Sequence, residues 1–500
     1  MSEIFQLIAQ YATLGSLMAI VLGTFVGIVI GGLPGLGSVV GISICLPLTF
    51  GMEANSAIFL LLGVYCGSIY GGSISAILIN TPGTPQSAAT LFDGYPMTEK
   101  GEAGMALGWS AMSSVAGGLI SCAILILAAP QLAAFSVRFG SIEVFALILM
   151  ALTSIAAVSG DSIVKGMAAG LIGISISFVG VDPITGTPRF DFGITALEAG
   201  LNLIAVVVGL FALSEVLERA SNNKNAIAFV RSARIKLPKL REWRGRIGGL
   251  LRSSVLGSVV GFLPGTGAAP AAFMSYAVAK NVAPTRKNFG KGEPDGIIAA
   301  ESSNNAVTGA ALIPTLALGV PGDVVTAILL GSFVVHGITP GVRLMTDHQD
   351  LVMGIFAALI VINIVMLLLA FPVVRLFGIL LRVKERFFIA GVVSLSLIGT
   401  ASVRGNPFDV FVATIFGLLG FLLRRFNFPL SPLVIGLVLG PQLETSFRRG
   451  LLLKHGDFMA FFNHSLLATI LFVGALTLLV VSFLTRWLLE GRNSRGDQKQ

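Results

Sequence analysis

"GIVIGGLPGLG" at residues 27–37 and "GSVVGFLPGTG" at residues 257–267 align without a gap, with seven identities in eleven positions. Gly27, Val29, Gly31, Leu33, Pro34, Gly35 and Gly37 are matched by Gly257, Val259, Gly261, Leu263, Pro264, Gly265 and Gly267. Both stretches lie in apolar surroundings, where an uninterrupted helix would satisfy every backbone group. Proline removes a donor and glycine tolerates unusual dihedrals, so Leu-Pro-Gly-x-Gly breaks the helix and leaves backbone groups unpaired. In hydrocarbon that is tolerable only where the break is buried in protein or lines a polar cavity.

Composition sets the surroundings of these breaks. The 500 residues are 54% hydrophobic and 12% charged, with a mean hydropathy of +0.89, values outside the soluble range. Apolar runs recur at residues 13–32, 56–80, 105–129, 141–158, 163–180, 196–217, 351–371, 387–403, 408–423 and 464–487. They are too long for barrel strands. The sequence therefore predicts an all-α polytopic membrane protein with roughly ten to twelve transmembrane helices. The amino-terminal "MSEIFQ" has no basic region, so the first run reads as a retained span. Cys45, Cys66 and Cys122 fall in apolar surroundings without metal spacing and read as packing residues.

Charge sets orientation and boundaries. Lys100 is the first basic residue, whereas Arg219 to Arg252 holds ten, which predicts a cytoplasmic linker beside the lipid. The carboxy-terminal tail with Arg492, Arg495 and Lys499 is assigned to the same side. Residues 1–217 form a first membrane repeat, 218–252 the linker, 253–487 a second repeat and 488–500 the tail. The net charge of +8 follows from linker and tail, so no nucleic-acid partner is assigned. Segments 253–263 and 268–279 are each too short to span, and both outer ends are basic. A re-entrant hairpin fits, and a charge-poor amino terminus outside would invert the two halves.

The repeat continues beyond the first motif. "NTPGTP" from Asn80 has a counterpart in "GVPGDV" from Gly319, and "DGYP" from Asp93 resembles "HGITP" from His336. A duplication with paired breaks is the usual trace of a secondary transporter. Broken tips offer helix amino termini to an anion and carbonyls to a cation. The candidate substrate-binding residues are Gly35, Gly37, Ser38, Asn80, Thr81, Gly83, Thr84, Gly265, Thr266, Gly267, Asn304 and Asn305. Asn80, Asn304, Thr308, Gly322 and Asp323 are the candidates for a coupling sodium ion or proton. No arginine or lysine lies in these motifs, so an anionic substrate would be held by amide dipoles, hydroxyls and a co-bound cation.

Asp323 and Glu301 are the ionisable groups nearest the motifs, and acids at membrane depth are functional candidates. Glu301, close to "GKGEPDG", reads equally as a residue at a loop mouth. Asp161, Glu143 and Glu198 lie at span ends and read as interfacial. The four histidines lack ligand spacing, which argues against a structural metal, and no organic cofactor is expected. The chain has no His-Glu-x-x-His, Gly-x-Ser-x-Gly or Walker sequence, so it does not read as an enzyme. A channel or facilitator for small organic anions is the alternative, although channels favour a continuous lining over paired breaks.

"GGLPGLG", "YGGSISAILINTPGTPQSAATLFDGYPMTEKGEAG", "ESSNNAVTGAALIPTLALGVPGD" and "HGITPG" together resemble the large membrane subunit of the tripartite tricarboxylate transporters, the TctA family. The resemblance covers nearly the whole chain. It implies a multi-pass permease of the bacterial inner membrane, working with a small transmembrane subunit and a periplasmic solute-binding protein. It further implies uptake of carboxylates driven by a sodium or proton gradient.

Overall fold

Glycine spacing governs how the first helices meet. The computed structural model describes residues 13–158, 162–221, 233–381 and 385–496; the expectations for Asp161, "MSEIFQ", linker residues 222–232 and Lys499 fall outside them. In chain order the elements are α1 (Leu14–Gly32), α2 (Gly37–Cys45), α3 (Ala54–Ile79), α4 (Ala88–Glu99), α5 (Ala103–Ser136), α6 (Ser141–Val158) and α7 (Ile163–Ser177). A small antiparallel hairpin follows, β1 (Gly180–Val181) and β2 (Pro188–Arg189), with Gly180 opposite Arg189. Then come α8 (Leu203–Val207), a π-helical stretch (Val208–Leu213), α9 (Ser214–Ser221), α10 (Ile247–Phe262), α11 (Ala268–Val282), α12 (Pro294–Leu318) and α13 (Val324–Val335). The chain closes with α14 (Gln349–Leu380), α15 (Glu385–Arg404), α16 (Pro407–Arg425), α17 (Leu430–Leu453) and α18 (Leu466–Gly496).

The protein is an all-α polytopic membrane protein. Among the described residues six helices, α1, α3, α5, α14, α16 and α18, are long and apolar enough to cross a bilayer, and six further apolar helices are shorter. The chain folds into two compact units, residues 1–134 with 204–421 and residues 135–203 with 422–500. Each unit thus draws on two separate stretches of the chain, and the basic linker lies within the second stretch of the first unit.

In the first unit α1 lies on α3 at backbone contact. A Cβ at Gly23, Gly27 or Gly31 would stand 2.2, 2.5 or 2.1 Å from the carbonyl oxygens of Leu60, Val64 and Ser68. On the other side of the linker α10 lies on α12 in the same way: a Cβ at Gly257 would stand 2.2 Å from the Ser303 carbonyl oxygen, and one at Gly261 2.9 Å from Val307 Cα. Small residues let helices approach closely enough for dispersion to hold them where no hydrophobic effect can. The glycines matched in sequence therefore make matched contacts. The breaks match as well: Gly35 and Gly37 have φ of 82° and 65°, Gly265 and Gly267 of 82° and 71°, a region closed to most side chains.

One element differs from the sequence reading. The run at 196–217 is not one helix: a single turn at Thr195–Glu198 ends at Gly200 (φ 77°), and helix resumes at Leu203. There Gly200 packs on the Gly180 backbone, where a Cβ on Gly180 would stand 2.6 Å from Gly200 Cα. Glu143 lies in the first turn of α6, at the end of that apolar run, where it is buried and accepts from the Gly140 N–H (3.0 Å) and Ser465 Oγ (2.5 Å).

In the second unit α7 meets α17 through Gly173, whose Cβ would stand 1.9 Å from the Leu433 carbonyl oxygen. The β hairpin is pinned to α17 by ion pairs, Asp182 to Arg448 at 2.6 Å and Arg189 to Glu444 at 2.5 Å. The Arg448 hydrogen bond, reinforced by the N–H groups of Ile184 and Thr185, holds the Asp182 carboxyl well below the usual carboxylate range.

Candidate substrate and ion site at the helix breaks

Two helices stop where the sequence repeats "xxPG". The α3 helix ends on Asn80 with φ 55° and α12 on Gly319 with φ 69°, both left-handed caps. In each case the chain crosses a Pro-Gly pair and restarts under a polar cap. In the first repeat Thr84 N–H donates to Ser87 Oγ (3.2 Å), which donates back to the Thr84 carbonyl (2.8 Å). In the second, Asp323 N–H donates to Thr326 Oγ1 (2.9 Å) and Thr326 N–H donates to Asp323 Oδ1 (2.8 Å). Thr84 and Asp323 are thus equivalent positions, one neutral and one acidic. Gly265 N–H donates to the Gly322 carbonyl at 2.6 Å, tying the second Leu-Pro-Gly break to the second Pro-Gly break.

The polar face of α12 runs inside the unit. Glu301, Asn304, Asn305 and Thr308 are all buried. Asn305 Nδ2 donates to Asn304 Oδ1 (2.7 Å) and to the Glu301 carbonyl (3.0 Å), and Thr308 Oγ1 donates to the Asn305 carbonyl (2.7 Å). Asp323 Oδ2 accepts from Tyr65 OH on α3 at 2.5 Å. Glu301 is 0% exposed and so is no loop-mouth residue. It accepts from Ser73 Oγ (2.5 Å), Thr90 Oγ1, Ser114 Oγ (2.9 Å) and Asn304 Nδ2 (3.4 Å).

Other sequence candidates sit nearer the surface of the unit. Gly37, Gly265, Thr266 and Gly267 are half-buried, Gly35, Asn80 and Thr81 are exposed, and Gly83 and Gly322 are buried. Thr81 Oγ1 donates within its own turn, to Ile79 (3.2 Å), and Thr266 Oγ1 to Leu263 (3.0 Å). Gly83 N–H donates to the Gly72 carbonyl (3.2 Å) and Gly322 N–H donates to Thr315 Oγ1 (3.3 Å); Gly322 has no room for a side chain, since a Cβ there would stand 2.6 Å from Ala311 Cα. Among the described residues Ser38 Oγ and Thr84 Oγ1 are buried without a hydrogen-bond partner, so they remain available to a ligand.

A family model described as the tripartite tricarboxylate transporter TctA family matches residues 17–435. The chain belongs to this family. It is 36% identical over 457 residues to an uncharacterized 52.8 kDa protein from the TAR-I ttuC' 3' region of Agrobacterium vitis, covering 91% of this chain and 90% of that relative. A second Agrobacterium vitis protein, from the TAR-II ttuC' 3' region, is 35% identical over 242 residues, 48% of this chain and 98% of the relative. No solved structure matches.

Four groups in this TctA-family chain escape the motif reading. Tyr65 and Ser114 lie in apolar runs outside any motif, and Ser73 lies in the "YGGSISAILIN" stretch with no signal of its own; only their convergence on Asp323 and Glu301 marks them. Arg219, at the edge of the basic linker, donates to the Pro34 carbonyl of the first break while pairing with Glu215 at 2.9 Å. A cation thus stands at a break whose own sequence has none.

Proposed function

We infer that this chain is the large permease subunit of an ion-driven carboxylate uptake system of the bacterial inner membrane, working with a small transmembrane subunit and a periplasmic solute-binding protein. Family membership supports the class. The observation that carries the finer reading is the pairing of Thr84 and Asp323 at equivalent caps. A helix amino terminus capped by its own carboxylate has its positive end already answered, which suits a proton or sodium ion. The equivalent terminus with a neutral threonine, whose hydroxyl is buried and unpartnered, keeps its dipole for a substrate carboxylate. One repeat then holds the anion and the other the cation, which makes their binding interdependent. Gly35, Gly37, Ser38 and Gly265 to Gly267 complete the tips.

The test is uptake of radiolabelled di- and tricarboxylates into proteoliposomes containing the chain and both partners, with sodium and pH gradients imposed separately. Accumulation that follows one gradient and needs the binding protein is expected. Downhill flux indifferent to both gradients and to the binding protein would replace this reading by a channel or facilitator.

A further inference from the structure

Glu301 is held by groups that the helix breaks do not include. Its two oxygens accept from hydroxyls on three different helices, Ser73 on α3, Thr90 on α4 and Ser114 on α5, and from the Asn304 amide on its own helix. No ion pair joins it to a basic side chain among the described residues. Tyr70 OH, one turn before Ser73, is fully buried with no hydrogen-bond partner among the described residues and lies within electrostatic reach of Glu301. Desolvation disfavours an ionised carboxylate here, and four donors favour it. Such opposition suits a group that both takes up and gives up a positive charge.

The donor arrangement discriminates between charges. Metal cations with oxygen ligands sit about 2.3–2.6 Å from each, which would spread the oxygens beyond the 2.5 and 2.9 Å seen from Ser73 and Ser114. Asn304 presents its N–H to Glu301 while its carbonyl accepts from Asn305, so the shell is built of donors. We propose that Glu301, with Ser73, Thr90 and Ser114, is a proton-binding site separate from Asp323, loaded and unloaded during transport. This rests on the transport reading above. The arriving proton bonds to Oε2 and is donated to Ser114 Oγ, whose own O–H stays intact and rotates to donate to a backbone carbonyl one turn back, as helical serines allow. The other titratable groups on the packed helices are Tyr65, Cys66 and Tyr70 on α3, Asp93, Tyr95 and Glu99 on α4, Cys122 on α5, Arg252 on α10, Tyr276 and Lys280 on α11, and Asp295 on α12 itself. Asp93 is occupied by Tyr276 and three backbone N–H groups.

Infrared difference spectroscopy of the purified full chain in lipid vesicles, titrated with acid at fixed sodium, reads the site without any substrate. A carboxylic-acid C=O band should appear on acidification and be missing in Glu301→Gln. In Ser114→Ala and Thr90→Val, which remove donors to the charged form, its midpoint should move to higher pH by about one unit, a roughly tenfold gain in proton affinity. These two variants carry the test if Glu301→Gln fails to fold. A band unchanged by all three variants, or one that follows sodium at constant pH, overturns the proposal. In proteoliposomes Glu301→Gln should exchange labelled for unlabelled substrate yet lose pH-driven accumulation, and wild-type accumulation in this variant would also overturn it. A wild-type protein that moves no carboxylate under any gradient refutes the transport reading instead, while the infrared band still decides whether Glu301 takes a proton.

Discussion

Replacing Asp93 by alanine removes one acceptor from four donors. Asp93, in the "DGYP" stretch of α4, accepts at Oδ1 from the N–H groups of Gly290 (2.8 Å), Gly292 (2.9 Å) and Glu293 (2.8 Å), and at Oδ2 from Tyr276 OH (2.8 Å). It thereby fixes the loop that enters α12 and sets the depth of Glu301 and Asn304. Water can replace the carboxylate at Gly290, which is exposed, but not at Glu293, which is buried. At about 1–3 kcal/mol for each buried donor left unpaired, with Glu293 counted fully and Gly292 and Tyr276 in part, the loss is about 3 kcal/mol. Over 500 residues, with an unfolding entropy of about 2.1 cal/mol/K per residue, 1 kcal/mol is worth about 1 °C, so melting of the purified chain in detergent should fall by about 3 °C. Asp93→Asn keeps an acceptor oxygen for the loop and should lose about 1 kcal/mol. Trypsin should cut the alanine variant at Lys287 and Lys291 well below its melting temperature. An alanine variant that melts with the wild type and resists trypsin would show that the carboxylate does not hold the loop.

The remaining expectations concern packing, transport and pH. Gly31→Val and Gly257→Val drive a side chain into the carbonyls of Ser68 and Ser303 and should leave little monodisperse protein on size-exclusion chromatography. Gly15→Ala, whose nearest neighbour would be 3.8 Å away, should behave as wild type. Gly265→Leu, at φ 82°, and Asn304→Ala should abolish uptake at unchanged membrane expression; normal uptake in both would remove the case for the breaks as the site. Asp182 is held below its unfolded pKa by Arg448, so its stabilising effect is present above the unfolded value and lost as pH falls. The stability difference between wild type and Asp182→Asn, measured by thermal melting, should be constant down to about pH 5 and shrink below about pH 4.

Much of the breaks was legible because their chemistry is local. Proline and glycine act on the residues beside them, so "LPGLG" and "LPGTG" could be read as interruptions, and the left-handed glycines stand where the motifs put them. The same locality explains the stops at Asn80 and Gly319. Residues 196–217 show the limit of reading apolar runs. Their hydropathy suits one helix, yet Gly200 is drawn against Gly180, a contact invisible in either segment alone. Glu301 shows a second limit, since its position between a loop and a span could not decide its burial.

Sequence by itself determined that the chain is a helical membrane protein, that its Leu-Pro-Gly-x-Gly motif recurs, and where the helices break, because hydropathy, glycine spacing and proline act within a few residues. Tertiary structure alone decided what surrounds each polar group. Ser73, Thr90 and Ser114 stand 228, 211 and 187 residues from Glu301 in the chain, and Tyr65 stands 258 from Asp323. Nothing in their local sequence sets those distances. They follow from glycine-lined helices closing to backbone contact, which brings particular hydroxyls to particular carboxylates.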